Sequence, residues 1–465
     1  MNQTSDRHTA KVIGVSVAAA VGGFLFGFDS SVINGAVDSI EENFSLGSFT
    51  TGFVVAIALL GCAVGAWFAG TLADRWGRKK VMLLGSALFT VSSIGSGLAF
   101  SVPDLMLWRV LGGLGIGIAS VIAPAYIAEI APAKWRGSLA SLQQLAITIG
   151  IFAALLSDAI LAGVAGSASN DLWFGIEAWR WMFLVGVVPA LVYGVLATLI
   201  PESPRYLVGQ HLDDEAARVL TEITGVLHPD ERVHEIRLTL RKEKNSSFAD
   251  IRGPKFGLHP IVWVGITMAV LQQLVGINAI FYYSTTLWRS VGFTEDQSFT
   301  TSVITAVINV VMTFVAILFV DRIGRRKLLM SGSIGMFVGL VMASVAFSQS
   351  IGSGDDVTLP APWGAIALVG ANLFVIFFAS TWGPIMWVML GEMFPNRMRA
   401  MALGIGTAAN WIANFAVTLA FPPLTSAVGL WVIYAGFALF AALSFFFVNA
   451  KIRETKGMEL EDMLG

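Results

Sequence analysis

The chain has 465 residues, 55% of them hydrophobic and 13% charged, with a formal net charge of -2. Soluble domains carry about 25% charged residues, so the composition excludes an ordinary soluble enzyme and a disordered protein. With no cationic excess it also excludes a nucleic-acid binder. The single cysteine, Cys62, excludes a disulfide framework and any cysteine-based metal site, and the five histidines (His8, His211, His228, His234, His259) show no metal-ligand clustering.

A membrane helix needs roughly 20 apolar residues. The first candidate runs from Val12 to about Gly35 and contains one charge, Asp29. No Asp, Glu, Lys or Arg occurs in 43–73, 81–103, 110–128, 137–157, 181–201, 256–288, 297–320, 328–354 or 357–391. Residues 400–450 are also charge-free, and Pro422 and Pro423 divide them into two. The sequence therefore predicts twelve spans. All read as helices, because lipid tolerates only helices or closed barrels, and a barrel would alternate in short segments. The first span shows no small-residue cleavage site and reads as a retained helix.

Basic residues set the orientation. Of the 29 Lys and Arg, only Arg109, Arg180 and Arg289 fall outside the two ends and the even-numbered connections. Both termini are therefore expected on the cytoplasmic side, and the acidic stretch Asp38, Glu41, Glu42 on the outside. The longest connection, from Pro201 to about Phe256, divides the chain into two halves of six spans. Within it, Asp213 to Thr224 and Glu231 to Arg241 read as amphipathic helices. The expected domains are a six-helix half over 1–200, a cytoplasmic helical linker over 201–257, a second half over 258–450 and a tail over 451–465.

The halves echo each other. DRWGRK (74–79) follows span two and DRIGRR (321–326) follows span eight; Glu129 and Arg136 end span four as Glu392 and Arg399 end span ten; PESPR (201–205) follows span six and RETKG (453–457) follows span twelve. Such a repeat points to duplication and to two bundles that rock about a central site. Asp74, Arg75, Arg78, Glu129, Arg136, Glu202, Arg205, Asp321, Arg322, Arg325, Glu392, Arg399 and Glu454 form the candidate cytoplasmic gate, pairing across the halves when it is shut. Gly77 and Gly324 would allow turns in which a carboxylate meets an arginine and a helix N-terminus. The plainer reading of the lysines there is topology marking.

These motifs, with GGFLFGFDSSVING (22–35), RVLGGLGIG (109–117), YIAEIAPAKWRG (126–137), QQLVGINAIFYYS (272–284), WGPIMWVMLGEMFPNRMR (382–399) and NWIAN (410–414), resemble the sugar porter family of the major facilitator superfamily over nearly the whole chain. One departure is Arg453, where the family usually has Pro before ETKG. The resemblance implies an all-α membrane protein of two pseudo-symmetric six-helix halves in a bacterial cytoplasmic membrane. It also implies a monomer with no cofactor, no metal and no nucleic-acid partner, whose partners are a monosaccharide, a proton and the bilayer.

Asp29, Arg109 and Asp158 are the ionisable groups well inside spans, where a charge is costly and marks function by default. Beside Arg109 a carboxylate stays charged; apart from it, in apolar surroundings, it takes a proton. A movement that changes the pairing therefore binds and releases a proton, and the resemblance implies proton symport, since facilitators of the family carry Asn at the Asp29 position. A structural ion pair is the plainer reading. Asp158 reads as an entrance-lining group or a rival for coupling. The span-six carboxylate of some family members is absent, because 184–188 is apolar.

A sugar presents hydroxyls that donate and accept, which amide side chains match without charge while aromatic faces cover the ring. The resemblance implies hydrogen bonds from Gln144, Gln272, Gln273, Asn278 and Asn309, with Trp387 capping the sugar and Phe26, Phe378, Gly383 and Trp411 lining its cavity. Gln272 to Asn278 is close to two turns, so these side chains are expected on one helix face. Amides also serve as interhelical glue; Asn414 reads as structural. Tyr282 and Tyr283 read as closing the outer path or as packing, and Pro384 as a kink that lets span ten bend. Ala379 stands where mammalian glucose carriers have Glu. Asn410, a further candidate to bind the sugar, resembles the glucose carriers and favours a hexose such as D-glucose over xylose, arabinose or inositol. The competing classes are a membrane enzyme, a facilitator and a non-transporting sugar sensor. No Walker motif occurs, so ATP is not the energy source.

Overall fold

The computed structural model describes residues 2–131, 136–243, 251–254, 257–352, 357–395 and 398–454. Among them, twelve helical stretches are long and apolar enough to cross a membrane. The first five are α1 (Asn2–Phe44), α2 (Ser48–Trp76), α3 (Arg78–Gly97), α4 (Val102–Ile130) and α5 (Arg136–Ala165). The sixth is divided at Gly186 into α6 (Ala178–Val185) and α7 (Val187–Leu199). Three short helices follow, α8 (Pro204–Gly209), α9 (Asp213–Val219) and α10 (Pro229–Glu243). The second set comprises α11 (Pro260–Leu274) with α12 (Ile277–Arg289), then α13 (Glu295–Ile323) and α14 (Arg325–Phe347). It ends with α15 (Trp363–Phe377) and α16 (Gly383–Glu392), then α17 (Arg399–Val428) and α18 (Leu430–Lys451).

Local sequence sets many of these ends. Ser101 caps α4 by accepting from the Asp104 N–H, with Pro103 in the first turn, and Thr294 and Gln297 form a reciprocal capping box on α13. Between α5 and α6, Asp171–Trp173 and Ile176–Glu177 pair as a two-stranded antiparallel ribbon. Its turn places Phe174 and Gly175 at φ 59° and 69°, the double left-handed geometry of a tight hairpin. Phe174 is exposed and its ring lies 6.3 Å from Trp181, an aromatic patch of the kind that sits at a membrane surface.

The chain divides into two compact units. One comprises residues 1–30, 60–151 and 183–245; the other comprises 31–59, 152–182 and 246–465. In the first unit the helices of the 204–243 connection bury a small core of Leu207, Val208, Ala216, Val219, Leu220 and Val233. Lys11 of α1 reaches this connection by donating to the Glu222 carbonyl at 3.0 Å. In the same unit α1 and α5 approach so closely that a Cβ on Gly27 would strike the Ile147 carbonyl.

The second unit holds the broken helices. Gly276, at φ +86°, separates α11 from α12. A π-helical turn, Phe378–Trp382, separates α15 from α16 just before Pro384. The expected break at Pro422 and Pro423 is not there: α17 runs through both prolines and ends at Gly429, φ +82°. One reason is that a carbonyl which proline leaves without an N–H partner is answered. The Thr418 carbonyl, four residues before Pro422, accepts from the Tyr283 hydroxyl at 2.9 Å, and the Leu419 carbonyl lies against Gly52.

Gly276→Ala is expected to cost about 1–3 kcal/mol from backbone strain alone, and more because the new Cβ meets the Phe437 ring. A lowered thermal midpoint of the detergent-solubilised protein, against an unchanged midpoint for Gly436→Ala at an open position, is the measurement.

Candidate functional site

Asp29 sits on α1 and Arg109 on α4, both buried, and the Arg109 Nη1 lies 3.4 Å from Asp29 Oδ1 and 3.5 Å from Oδ2. These distances are at the outer limit of a hydrogen bond. Arg109 Nε has no partner among the described residues, and the Phe183 ring lies 6.0 Å from the guanidinium. Gly112, one turn beyond Arg109, makes the room: its position faces Ser92 and, at 3.8 Å, Asp29 Oδ1. The arrangement is a buried ion pair held at long hydrogen-bond distance.

The second unit carries an amide cluster. Gln272 Nε2 donates to the carbonyls of Trp382 and Gly383, both at 3.1 Å; Asn410 Nδ2 donates to Gln272 Oε1 at 2.8 Å and to the Ala269 carbonyl at 3.0 Å. Gln273 Nε2 donates to Asn410 Oδ1 at 3.1 Å, and Asn278 Nδ2 donates to Gln273 Oε1 at 2.7 Å. The expected meeting of Gln272, Gln273 and Asn278 therefore occurs, but not along one continuous helix face: the break at Gly276 folds Asn278 back onto Gln273. Gln272, Gln273 and Asn410 are largely occupied by one another and by backbone. The Asn278 oxygen, the Asn309 carboxamide and the Trp387 indole N–H make no hydrogen bond among the described residues and keep their capacity. Phe378 and Trp411 are buried in the same unit. Gln144, half-buried on α5, and Phe26, half-buried on α1, belong to the first unit.

Tyr283 stacks on Phe421 with ring centroids 5.2 Å apart, and its backbone leaves the helical region at φ −126°. Tyr282 is buried and its hydroxyl lies 3.5 Å from Asn414 Nδ2.

The ends of α1 and α5 in the second unit meet α12 and α13 through a set of polar contacts that the sequence reading did not single out. The Asn34 carboxamide oxygen accepts from the Thr285 N–H at 2.9 Å. Asp38 accepts from the Thr286 hydroxyl at 2.6 Å and from Arg289 Nη1 at 2.7 Å. Glu295 accepts from the Ser167 hydroxyl at 2.9 Å and from the Ala168 N–H at 2.7 Å. The signal was present: Arg289 is a rare basic residue on a basic-poor side that also carries the acidic 38–42 segment.

At the basic-rich helix ends the duplicated motifs take matching geometry. Glu129 grips the Arg78 guanidinium with both oxygens, at 2.8 and 3.0 Å, while Glu202 accepts from the Arg78 N–H at 2.9 Å, under Gly77 at φ +92°. Glu392 grips Arg325 at 2.9 and 3.1 Å, while Glu454 accepts from the Arg325 N–H at 2.8 Å, under Gly324 at φ +99°. Asp74 also pairs with Arg78 at 3.1 Å, and Arg205 lies 3.8 Å from Glu129. These pairs run within a half, not across the halves. Arg75 and Arg322 are exposed, and the side chains of Arg136, Asp321 and Arg399 lie outside what is described.

Among the described residues no group of three or more His, Cys, Asp or Glu side chains is placed to hold a metal ion. Twelve candidate spans among the described residues, duplicated motifs, a buried charge pair within the membrane-spanning helices and an uncharged amide cluster define a membrane carrier. The chain belongs to the sugar transporter family: the family model described as "Sugar (and other) transporter" matches residues 15–464. It is 53% identical to a glucose transport protein of Synechocystis sp., over 97% of each chain. It is 33% identical to the D-xylose-proton symporter of Escherichia coli, over 98% of this chain and 96% of that one. The Escherichia coli xylose transporter in a partially occluded inward-open conformation aligns at a TM-score of 0.83 and 31% identity, over 97% of this chain and all of that one. The protein is a multi-pass membrane transporter, not an enzyme.

Gln273→Leu removes the partner of both Asn278 and Asn410 and is expected to destabilise by about 1–3 kcal/mol. Asn309→Leu, which breaks no side-chain hydrogen bond among the described residues, is expected to cost less. Thermal midpoints of the two variants in detergent make the comparison.

Proposed function

We propose that the protein imports a hexose, D-glucose first among candidates, together with a proton by alternating access across a bacterial cytoplasmic membrane, with both termini inside. The observation that carries the coupling is the buried, loosely held Asp29 and Arg109 pair. While the pair is made the carboxylate is charged; a helix movement that parts it leaves an isolated charge in a dry bundle, which protonation removes. Proton binding is thereby tied to conformation. The 53% identity to a glucose transport protein, against 33% for a xylose-proton symporter, favours glucose.

In this reading the Asn278 oxygen, Asn309 and the Trp387 N–H supply hydrogen bonds to the sugar, while Gln272, Gln273 and Asn410 hold the frame that aims them. Gln144 adds an amide and Phe26, Phe378, Gly383 and Trp411 apolar surface. Tyr282, Tyr283 and the kink at Pro384 serve gating, and the Arg78 and Arg325 clusters serve the cytoplasmic gate. The protein acts as a monomer. Xylose, arabinose and inositol are the competing substrates, and facilitated diffusion without proton coupling is the competing mechanism.

Purified protein in liposomes tests this. With the exterior one pH unit more acidic, one proton per sugar supports up to about tenfold accumulation, since a pH unit is worth 1.36 kcal/mol. Asp29→Asn is expected to abolish accumulation and to retain sugar exchange at zero gradient. Equal accumulation by Asp29→Asn would overturn the coupling claim, and competition of labelled glucose by xylose, arabinose and inositol fixes the substrate.

A further inference from the structure

A second buried carboxylate takes no part in the coupling just described. Asp158 on α5 is wholly inaccessible; its Oδ2 accepts from the Gly35 N–H of α1 at 3.2 Å, and its Oδ1 has no partner among the described residues. The contact exists because position 35 has no side chain: a Cβ there would lie 2.8 Å from the carboxyl. Among the described residues no cation pairs with Asp158. Arg289 is taken by Asp38, Arg180 pairs with Glu177, and the neighbouring carboxylates Glu41 and Glu295 are held by Thr51 and by Ser167 with Ala168. Arg109 belongs to Asp29. One turn before Gly35 on the same face of α1, the buried Ser31 hydroxyl also lacks a partner among the described residues.

Closing helices around an ionised carboxylate in such a place buries an unpaired charge, whereas closing around the protonated acid does not. Asp158 lies fourteen residues beyond Gln144, close to four helical turns, and so on nearly the same side of α5. A path opened along that side would bring water to Asp158. We infer that Asp158 takes up a proton from outside whenever the outer path closes and returns it to the same side whenever the path reopens. It sets the external-pH dependence of closure and carries no proton across. This rests on the alternating-access orientation given above, but not on coupling through Asp29.

The reporter is Thr285→Cys in a Cys62→Ser background, because the Thr285 side chain is buried with its hydroxyl unpartnered and its N–H meets Asn34. A membrane-impermeant maleimide is applied from outside, without sugar or gradient. Labelling of the Asp158 carrier is expected to rise with external pH, by up to about tenfold per unit beyond the rise in thiol reactivity itself. Asp158→Asn, which keeps the acceptor for Gly35, is expected to follow only the thiol reactivity and to transport the same number of protons per sugar. Asp158→Ser provides a second neutral variant, and sugar counterflow verifies that each is folded. An identical pH course in the neutral variants would overturn the inference, as would a lower proton-to-sugar ratio. Loss of coupling through Asp29 would leave the labelling course intact.

Discussion

A bilayer offers peptide groups no water, so each carbonyl that a broken helix releases must be taken by a side chain. The second unit places side-chain hydrogen bonds beside three interruptions. Gln272 donates to the Trp382 and Gly383 carbonyls beside the π-turn before Pro384, Tyr283 donates to the carbonyl that Pro422 abandons, and Asn278 bridges to Gln273 over the interruption at Gly276. Amides accumulate where the helices are interrupted, and so does the hydrogen-bonding capacity a polyhydroxylated solute needs.

The first unit is built differently. Its buried polarity centres on a guanidinium and a carboxylate, set into helices that small residues bring together. A charged pair responds to separation far more steeply than an amide does, because desolvated charge is costly while an amide can exchange one partner for another.

Much of this was legible in the chain itself. Twelve apolar stretches, the repeated DRWGRK and DRIGRR, and the paired Glu and Arg at helix ends specify the architecture, because lipid and the positive-inside bias act on composition. Asp29 and Arg109 were legible for the same reason, as charges that lipid does not tolerate alone. What was not legible depends on partners distant in sequence. Pro422 and Pro423 look like a helix end until Tyr283 is seen to satisfy the released carbonyl. Gln272, Gln273 and Asn278 look like one helix face until Gly276 adopts a left-handed backbone. Asn34, Asp38 and Glu295 look like ordinary surface polar residues until Thr285, Arg289 and Ser167 meet them.

The two arginine clamps have a consequence for how the chain can be divided. Arg78, Glu129 and Glu202 lie wholly before the long connection, and Arg325, Glu392 and Glu454 wholly after it. Severing the polypeptide between Glu243 and Pro260 would leave each of these clamp hydrogen bonds within one fragment.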